Sequence, residues 1–279
     1  MSIVLFDRCD RLGANITTYI SQIIYAHYHN IPVLFSKNVN EYRFYNNKVV
    51  KSLFDYLQYS YNTNFEKKEY SIHNIGINHD FISVLSNVVI SINSDLISYF
   101  KNNLLHQLCE IEIPVLPFDP CNTILVHLRL DDVAHVPDYD GSICSNYYRN
   151  KIDNNEKCCL EFYGTINMQS PLSCSKLEEQ INKALEKHKG YSVVFLAAKG
   201  SDVSPYNPHN YKVLQSGDDY LDIMYLTQSD VVILSRSTFS LSSLFFSSKK
   251  RNIYIPSWGH SVSFGLNTKY DKTNFNYFY

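Results

Sequence analysis

Thr123-Ile-Leu-Val-His-Leu-Arg-Leu-Asp-Asp132 decides how this chain reads. Apolar and β-branched residues run straight into His127, Arg129, Asp131 and Asp132, which predicts a buried strand ending in a cluster of charge. In open α/β sheets, ligands sit beyond the carboxyl ends of the strands. An arginine placed there suits a phosphate, because its guanidinium is a planar, permanently charged fork of donors. The segment points to a phosphorylated ligand, a nucleotide first of all. The plainer alternative is a strand followed by an ordinary charged turn.

The sequence beyond this stretch repeats the same grammar. A helix is expected over residues 175–189, where Leu177, Ile181, Ala184 and Leu185 form an apolar stripe and Glu178, Glu179 and Glu186 face water. Ser175 is its candidate cap, with Glu178 three residues on. Residues 193–198 read as a buried strand, 218–226 as a helix, 231–234 as another buried strand and 253–256 as a short last one. Alternating strand and helix predict a parallel α/β sheet. Between the strand at 231–234 and the helix expected from Ser237 lies Ser235-Arg-Ser-Thr-Phe-Ser240. Backbone N–H groups at a helix N-terminus bind anions, and Arg236, Ser237, Thr238 and Ser240 add donors beside Phe239. The same serines and threonine are also ordinary N-cap residues, so a plain cap is the alternative. With Arg129, this turn would face one crevice and make a chemically sensible clamp for a pyrophosphate.

The sequence before the stretch opens with another βα unit. Residues 3–6 are a short apolar run, followed by the polar loop Asp7-Arg-Cys-Asp-Arg-Leu-Gly-Ala-Asn15. Ile16, Tyr19, Ile20, Ile23, Ile24 and Ala26 then recur at helical spacing. Gly13 lets backbone approach a ligand closely, and Arg11 and Asn15 can reach a sugar or phosphate. A tight turn with a surface arginine is the alternative. Asp7 and Asp10 can contact a hydroxyl or simply solvate the turn. Residues 31–35 fit a second strand, 53–59 part of a helix and 98–111 another, while 81–91 fit either helix or strand. Three prolines within 113–120 mark a domain linker, since proline neither continues a helix nor joins a sheet ladder. Residues 138–172 read as a long irregular insertion. The organisation expected is therefore a domain over 1–120, a second over 121–262, and an aromatic tail over 263–279 that packs back across the N-terminal half.

Composition narrows the function. The chain has 279 residues, 45% hydrophobic and 19% charged, enough for a proper core. Its net charge of -2 gives no global basic excess, which argues against a nucleic-acid-binding protein. The 23 tyrosines and 16 phenylalanines can supply stacking surfaces for a sugar or base. The seven cysteines show neither a CxxC pair nor a metal-like pattern with histidine, and read as free thiols in a reducing compartment. The adjacent Cys158 and Cys159 leave pairing in a secreted domain as the alternative. Residues 1–6 are too short for a signal-peptide core, and Ser, Asn and Asp interrupt the apolar stretch 81–100. A soluble, cytoplasmic protein without a membrane span is expected. A nicotinamide oxidoreductase would show G-x-G-x-x-G, a P-loop kinase G-x-x-x-x-G-K-[ST] and a serine hydrolase a G-x-S-x-G elbow, and none is present.

The order of these segments resembles the fucosyltransferase-like superfamily of glycosyltransferases. The likeness rests on Arg11-Leu-Gly-Ala-Asn15, on His127-Leu-Arg129 with Asp131 or Asp132, and on the stretch 218–240 ending in Ser-Thr-Phe-Ser. It implies an α/β protein of GT-B type, two Rossmann-like domains facing a cleft. It implies that Arg129 binds the donor's diphosphate, with Ser237, Thr238 and Ser240 on its other side. The donor-binding set is then Arg11, Gly13, Asn15, His127, Arg129, Arg236, Ser237, Thr238, Phe239 and Ser240. The reaction implied is inverting sugar transfer from GDP-fucose, or another nucleotide sugar such as UDP-xylose, to a glycan hydroxyl. No metal and no resident cofactor are expected. Asp7, Asp10, Asp131 and Asp132 are the candidate bases. The chain departs from the family pattern at Leu130, where many members carry a second arginine, and in reading Gly-Ala-Asn for Gly-Asn. The alternative is a noncatalytic nucleotide-sugar or glycan-binding protein with a degraded active site.

Overall fold

The computed structural model describes residues 3–5, 11–30, 32–35, 37–61, 94–108, 111–130, 171–247, 249, 251–256 and 274–278. Among these, the N-terminal part opens with β1 (Ile3–Leu5), α1 (Leu12–His29) and β2 (Val33–Phe35), and β1 pairs parallel with β2. Then come α2 (Lys48–Tyr61) and α3 (Ser94–Asn103). The remainder runs β3 (Thr123–Leu128), α4 (Cys174–Lys187), β4 (Ser192–Ala197), β5 (Lys212–Leu214), α5 (Asp219–Gln228), β6 (Val231–Ile233), α6 (Thr238–Ser242), β7 (Asn252–Pro256) and β8 (Asn274–Phe278).

The second sheet has six strands in the order β5-β4-β3-β6-β7-β8, all pairings parallel. The chain starts in the middle at β3, steps outward to β4 and β5, then returns to the other side of β3 for β6, β7 and β8. The order thus reverses between β3 and β6, the mark of a doubly wound sheet. Every residue of β3 is buried, as expected for a central strand covered on both faces. The parallel α/β class read from the sequence is therefore present. Among the described residues the N-terminal part contributes only the two-stranded β1–β2 sheet.

Several expected boundaries move. The helix expected over 98–111 ends at Asn103, and a 3-10 turn follows at Leu105–Gln107. The cap of α4 is Ser173 rather than Ser175. Ser173 holds extended backbone and accepts from Lys176 N, whereas Ser175 lies inside the helix and is exposed. Of the aromatic tail expected across the N-terminal half, only residues 274–278 are described, and these lie elsewhere. Its residues 274–278 form β8 and extend the second sheet beside β7, because an extended aromatic segment satisfies its backbone along an open sheet edge. The expected strand-or-helix at 81–91 and most of the expected insertion at 138–172 lie outside the described residues.

Residues 111–120 carry neither helix nor strand, consistent with their prolines. They are nonetheless tied down. Lys212 Nζ donates to Pro117 O at 2.5 Å, Asp230 N to Pro120 O at 3.1 Å, and Tyr220 Oη to Glu112 O. One hydrophobic cluster joins both parts of the chain, with Leu5, Ile16 and Phe54 together with Val232, Leu241 and Phe245. Phe100 of α3 meets Phe245 edge-on at 5.6 Å and Phe246 at 6.1 Å. Tyr19, Phe35, Tyr42 and Phe54 form a second edge-on group, with Tyr42 Oη donating to Leu5 O at 2.8 Å. Part of the aromatic excess is therefore core rather than stacking surface for a ligand.

α1 is buried on nearly all sides, including its polar residues Asn15, Thr17, Thr18, Ser21 and Gln22. The hydroxyls survive burial by bonding back along the helix. Thr17 Oγ1 donates to Gly13 O at 2.7 Å, Thr18 Oγ1 to Ala14 O at 2.8 Å and Ser21 Oγ to Thr17 O at 2.8 Å. The close approach of α6 to this helix is at Gly13, which lacks a side chain.

Candidate active site at the strand switch

The reversal of strand order brings the ends of β3 and β6 side by side. His127 is the penultimate residue of β3 and Arg129 follows the strand; Leu234, Ser235 and Arg236 follow β6. Leu128 pairs with Ala197 and Val126 with Ile233, so both ends open on the same edge of the sheet. Leu234 N donates to Tyr254 O at 2.9 Å, which carries the ladder one residue past β6 before the chain turns.

His127 is 8% exposed and held on two sides. Its Nδ1 lies 2.6 Å from Ser235 Oγ. Its ring stacks on that of Phe239, with centroids 5.8 Å apart and planes 29° apart. The turn between them is fixed by its own bonds. Ser237 N donates to Ser235 O at 2.8 Å, and Ser240 Oγ reaches Ser235 O at 3.4 Å and Ser237 O at 3.1 Å. Ser237 caps α6, its Oγ accepting from Phe239 N at 3.2 Å. The capping role open to it in the sequence is thus the one it fills. α6 is five residues long, so its dipole adds little.

The N-terminal loop joins the same place. A Cβ on Gly13 would lie 2.3 Å from both N and Cα of Phe239 and 2.7 Å from the carbonyl carbon of Thr238. Gly13 thus permits a close approach of α1 to the start of α6. Asn15 is likewise turned inward, fully buried. Its Nδ2 donates to Arg11 O at 3.1 Å and its Oδ1 accepts from Tyr19 Oη at 3.5 Å. Arg11 precedes α1 and is exposed, and Arg129 is half-buried beside the strand ends. Arg236 differs from both, being 1% exposed within the turn. Gly13, His127, Arg129 and residues 235–240 are thus gathered at one edge of the fold. Asp7, Asp10, Asp131 and Asp132, the candidate bases, lie outside the described residues, as do His135 and His260.

Two buried groups escaped the sequence reading. Ser235 appeared only as part of its turn, yet it is the partner of His127. Asp222, in α5 after β5, is 8% exposed, and burial pushes its carboxyl up to about 6. Ser216 Oγ, 2.6 Å away, works against that rise, while Asp219 and Asp218 add to it. The available signal was an aspartate set among Tyr220, Leu221, Ile223 and Met224 in an otherwise apolar run. Across the sheet, Arg251 is 1% exposed and donates to Ser229 O at 2.9 Å and to Leu226 O, closing the C-terminal end of α5.

Among the described residues no group of three His, Cys, Asp or Glu side chains is placed to hold a metal ion, and no helix is long and apolar enough to cross a membrane. Cys121 and Cys174 are exposed free thiols. Comparison with family models, with curated proteins and with solved structures finds no match.

Proposed function

We propose that the chain is an inverting glycosyltransferase with two Rossmann-like halves of the GT-B type. It would transfer a sugar from a nucleotide-diphosphate donor, GDP-fucose or another such as UDP-xylose, to a glycan hydroxyl. The observation that carries this reading is that Arg129 and the 235–240 turn follow the carboxyl ends of the adjacent strands β3 and β6, where strand order reverses. That is where open α/β sheets bind nucleotides. An arginine there suits a diphosphate better than a neutral ligand.

The chemistry is a direct displacement. The acceptor oxygen attacks the anomeric carbon, and the bond from that carbon to the diphosphate oxygen breaks. Its electron pair leaves with the nucleoside diphosphate. Arg129 stabilises that growing charge. The acceptor's proton passes to a carboxylate, for which Asp7, Asp10, Asp131 and Asp132 are the candidates. The nucleotide sugar is a substrate, and the reading calls for no resident cofactor.

A noncatalytic nucleotide-sugar or glycan-binding protein is the second reading. It is favoured by the internal engagement of Asn15, Ser237 and Ser240. One experiment bears on both: thermal shift with GDP, UDP, ADP, CMP and their common sugar conjugates, with and without Mg²⁺. Ligands that bind only the folded state raise its melting temperature by mass action. A selective shift by one nucleoside diphosphate supports the donor site, and slow hydrolysis of the matching sugar conjugate separates the enzyme from the binding protein. No shift with any of them overturns the nucleotide reading.

A further inference from the structure

α4 covers one face of the second sheet, where its Leu177, Ile181 and Ala184 pack with Val126, Ile233 and Tyr254. Side chains alternate along a strand, so Tyr254 of β7 faces α4 while Ile253 and Ile255 join the cluster on the other face. His188 ends α4, its N donating to Ala184 O at 2.8 Å. The His188 ring meets that of Tyr254 edge-on, with centroids 6.5 Å apart and planes at 83°, and leans on Tyr191 at 5.3 Å. Lys187 Nζ reaches Asn276 Oδ1 of β8 at 3.4 Å, so this end of the helix lies over the β7–β8 side of the sheet. Within this layer His188 Nε2 and Tyr254 Oη are both buried, and neither has a hydrogen-bond partner among the described residues. Burial favours the neutral form of each group: it pushes the Tyr254 hydroxyl up and the His188 imidazole down, and Lys187 lowers the imidazole further.

A buried polar atom left unmet is costly, and folded proteins meet such atoms with protein groups or with buried water. We propose that His188 Nε2 and Tyr254 Oη form a binding site for a single water molecule, which bridges the two rings and joins the end of α4 to β7. Water has the right chemistry for this pair. It accepts from the tyrosine hydroxyl and donates to the imidazole nitrogen, so one molecule satisfies both. An ion finds no opposite charge in a pair of neutral groups walled by Ile233 and Ala184. An apolar ligand would leave both polar atoms unmet. The bridge does not draw on the nucleotide-sugar reading and stands or falls apart from it.

The test joins a crystal structure of the full chain to urea titrations of Tyr254→Phe, His188→Phe and the double variant. Wild-type electron density should hold one water within about 3.2 Å of both atoms. Tyr254→Phe removes only an oxygen, and it should lower the folding equilibrium constant about 5-fold, the worth of roughly one net hydrogen bond. His188→Phe, which keeps a flat ring, should also lower it. The double variant should lose less than the product of the two single losses, because both substitutions break the same bridge. Density that shows Oη bonded directly to Nε2, or no water between them, overturns the proposal. So does a Tyr254→Phe variant as stable as wild type or more so, the result expected from deleting a buried oxygen that truly has no partner. Single losses that multiply in full in the double variant show two atoms acting separately, and overturn it as well.

Discussion

Gly13 and Phe239 touch backbone to backbone across the two parts of the chain: a methyl group on Gly13 would sit 2.3 Å from Phe239 N and Cα. Two effects of Gly13→Ala oppose each other. Alanine in a helix interior is favoured over glycine by up to about 1 kcal/mol. Against this stands a collision with main chain, which cannot swing aside as a side chain can. Overpacking of this kind costs about 1–3 kcal/mol or more. The collision wins, and urea titration should show a lower midpoint for Gly13→Ala. Gly190 is the control: it has φ +83° with nothing within 4 Å of its added methyl, so only the backbone strain of about 1 kcal/mol should appear there. Equal losses at both positions would mean that Gly13 is not a packing glycine.

The site and the fold were legible to different depths. β3, β4, β6 and β7 announce themselves because strands covered on both faces must be continuous apolar runs. β5 escaped because it is short, lies at the sheet edge and exposes Lys212 and Val213, so burial imposes no pattern on it. β8 shows the limit of composition: the aromatic tail says that it must pack, but its register against β7 is a nonlocal choice. At the site, Arg129 was readable from its place after a strand. The inward turn of Asn15 and the contact of Gly13 with Phe239 were not, because both depend on α1 meeting α6. A glycine that serves close packing and one that serves a ligand look the same in sequence.

The cap of α4 offers a direct contrast between the two readings. Ser173→Ala should lower stability by about 0.5–1 kcal/mol, since Lys176 N loses its acceptor. Ser175→Ala, at an exposed position, should stay within about 0.5 kcal/mol of wild type. The reverse order in chemical denaturation would return the cap to Ser175.

Asp222 gives the protein a pH signature. Its carboxyl is raised from the usual 3.8 to about 6, chiefly by burial, with Asp219 and Asp218 adding and Ser216 opposing. The folded state therefore binds a proton between about pH 4 and 6 that the unfolded chain has released. Stability falls as pH rises through that window, and the penalty is fully present above about 6. Asp222→Asn keeps an oxygen to accept from Ser216 and removes the buried charge. It should stabilise the protein at pH 7, by at most about 3 kcal/mol, and the advantage should vanish near pH 4. A difference between variant and wild type that does not change with pH would show that the carboxyl titrates normally.

Arg129 and Arg251 should fail in different ways. Arg251 is buried, and its guanidinium holds the carbonyls of Leu226 and Ser229. Truncating it to alanine strips those acceptors and leaves a void, so the melting temperature should fall sharply whether or not a ligand is present. Arg129 is half-buried at the edge of the sheet, and its proposed partner is a diphosphate. A charge-assisted hydrogen bond is worth about 1.5–3 kcal/mol. Arg129→Ala should therefore weaken nucleoside diphosphate binding about 10- to 100-fold while changing the unliganded melting temperature little. Wild-type affinity should also decline with added salt more steeply than that of the variant, because screening weakens a contact that only wild type makes. Isothermal titration calorimetry at two salt concentrations, paired with melting curves, reads both arginines at once. If Arg129→Ala binds as wild type does, the guanidinium is not the diphosphate contact, and the strand switch loses the feature that most favours a nucleotide there.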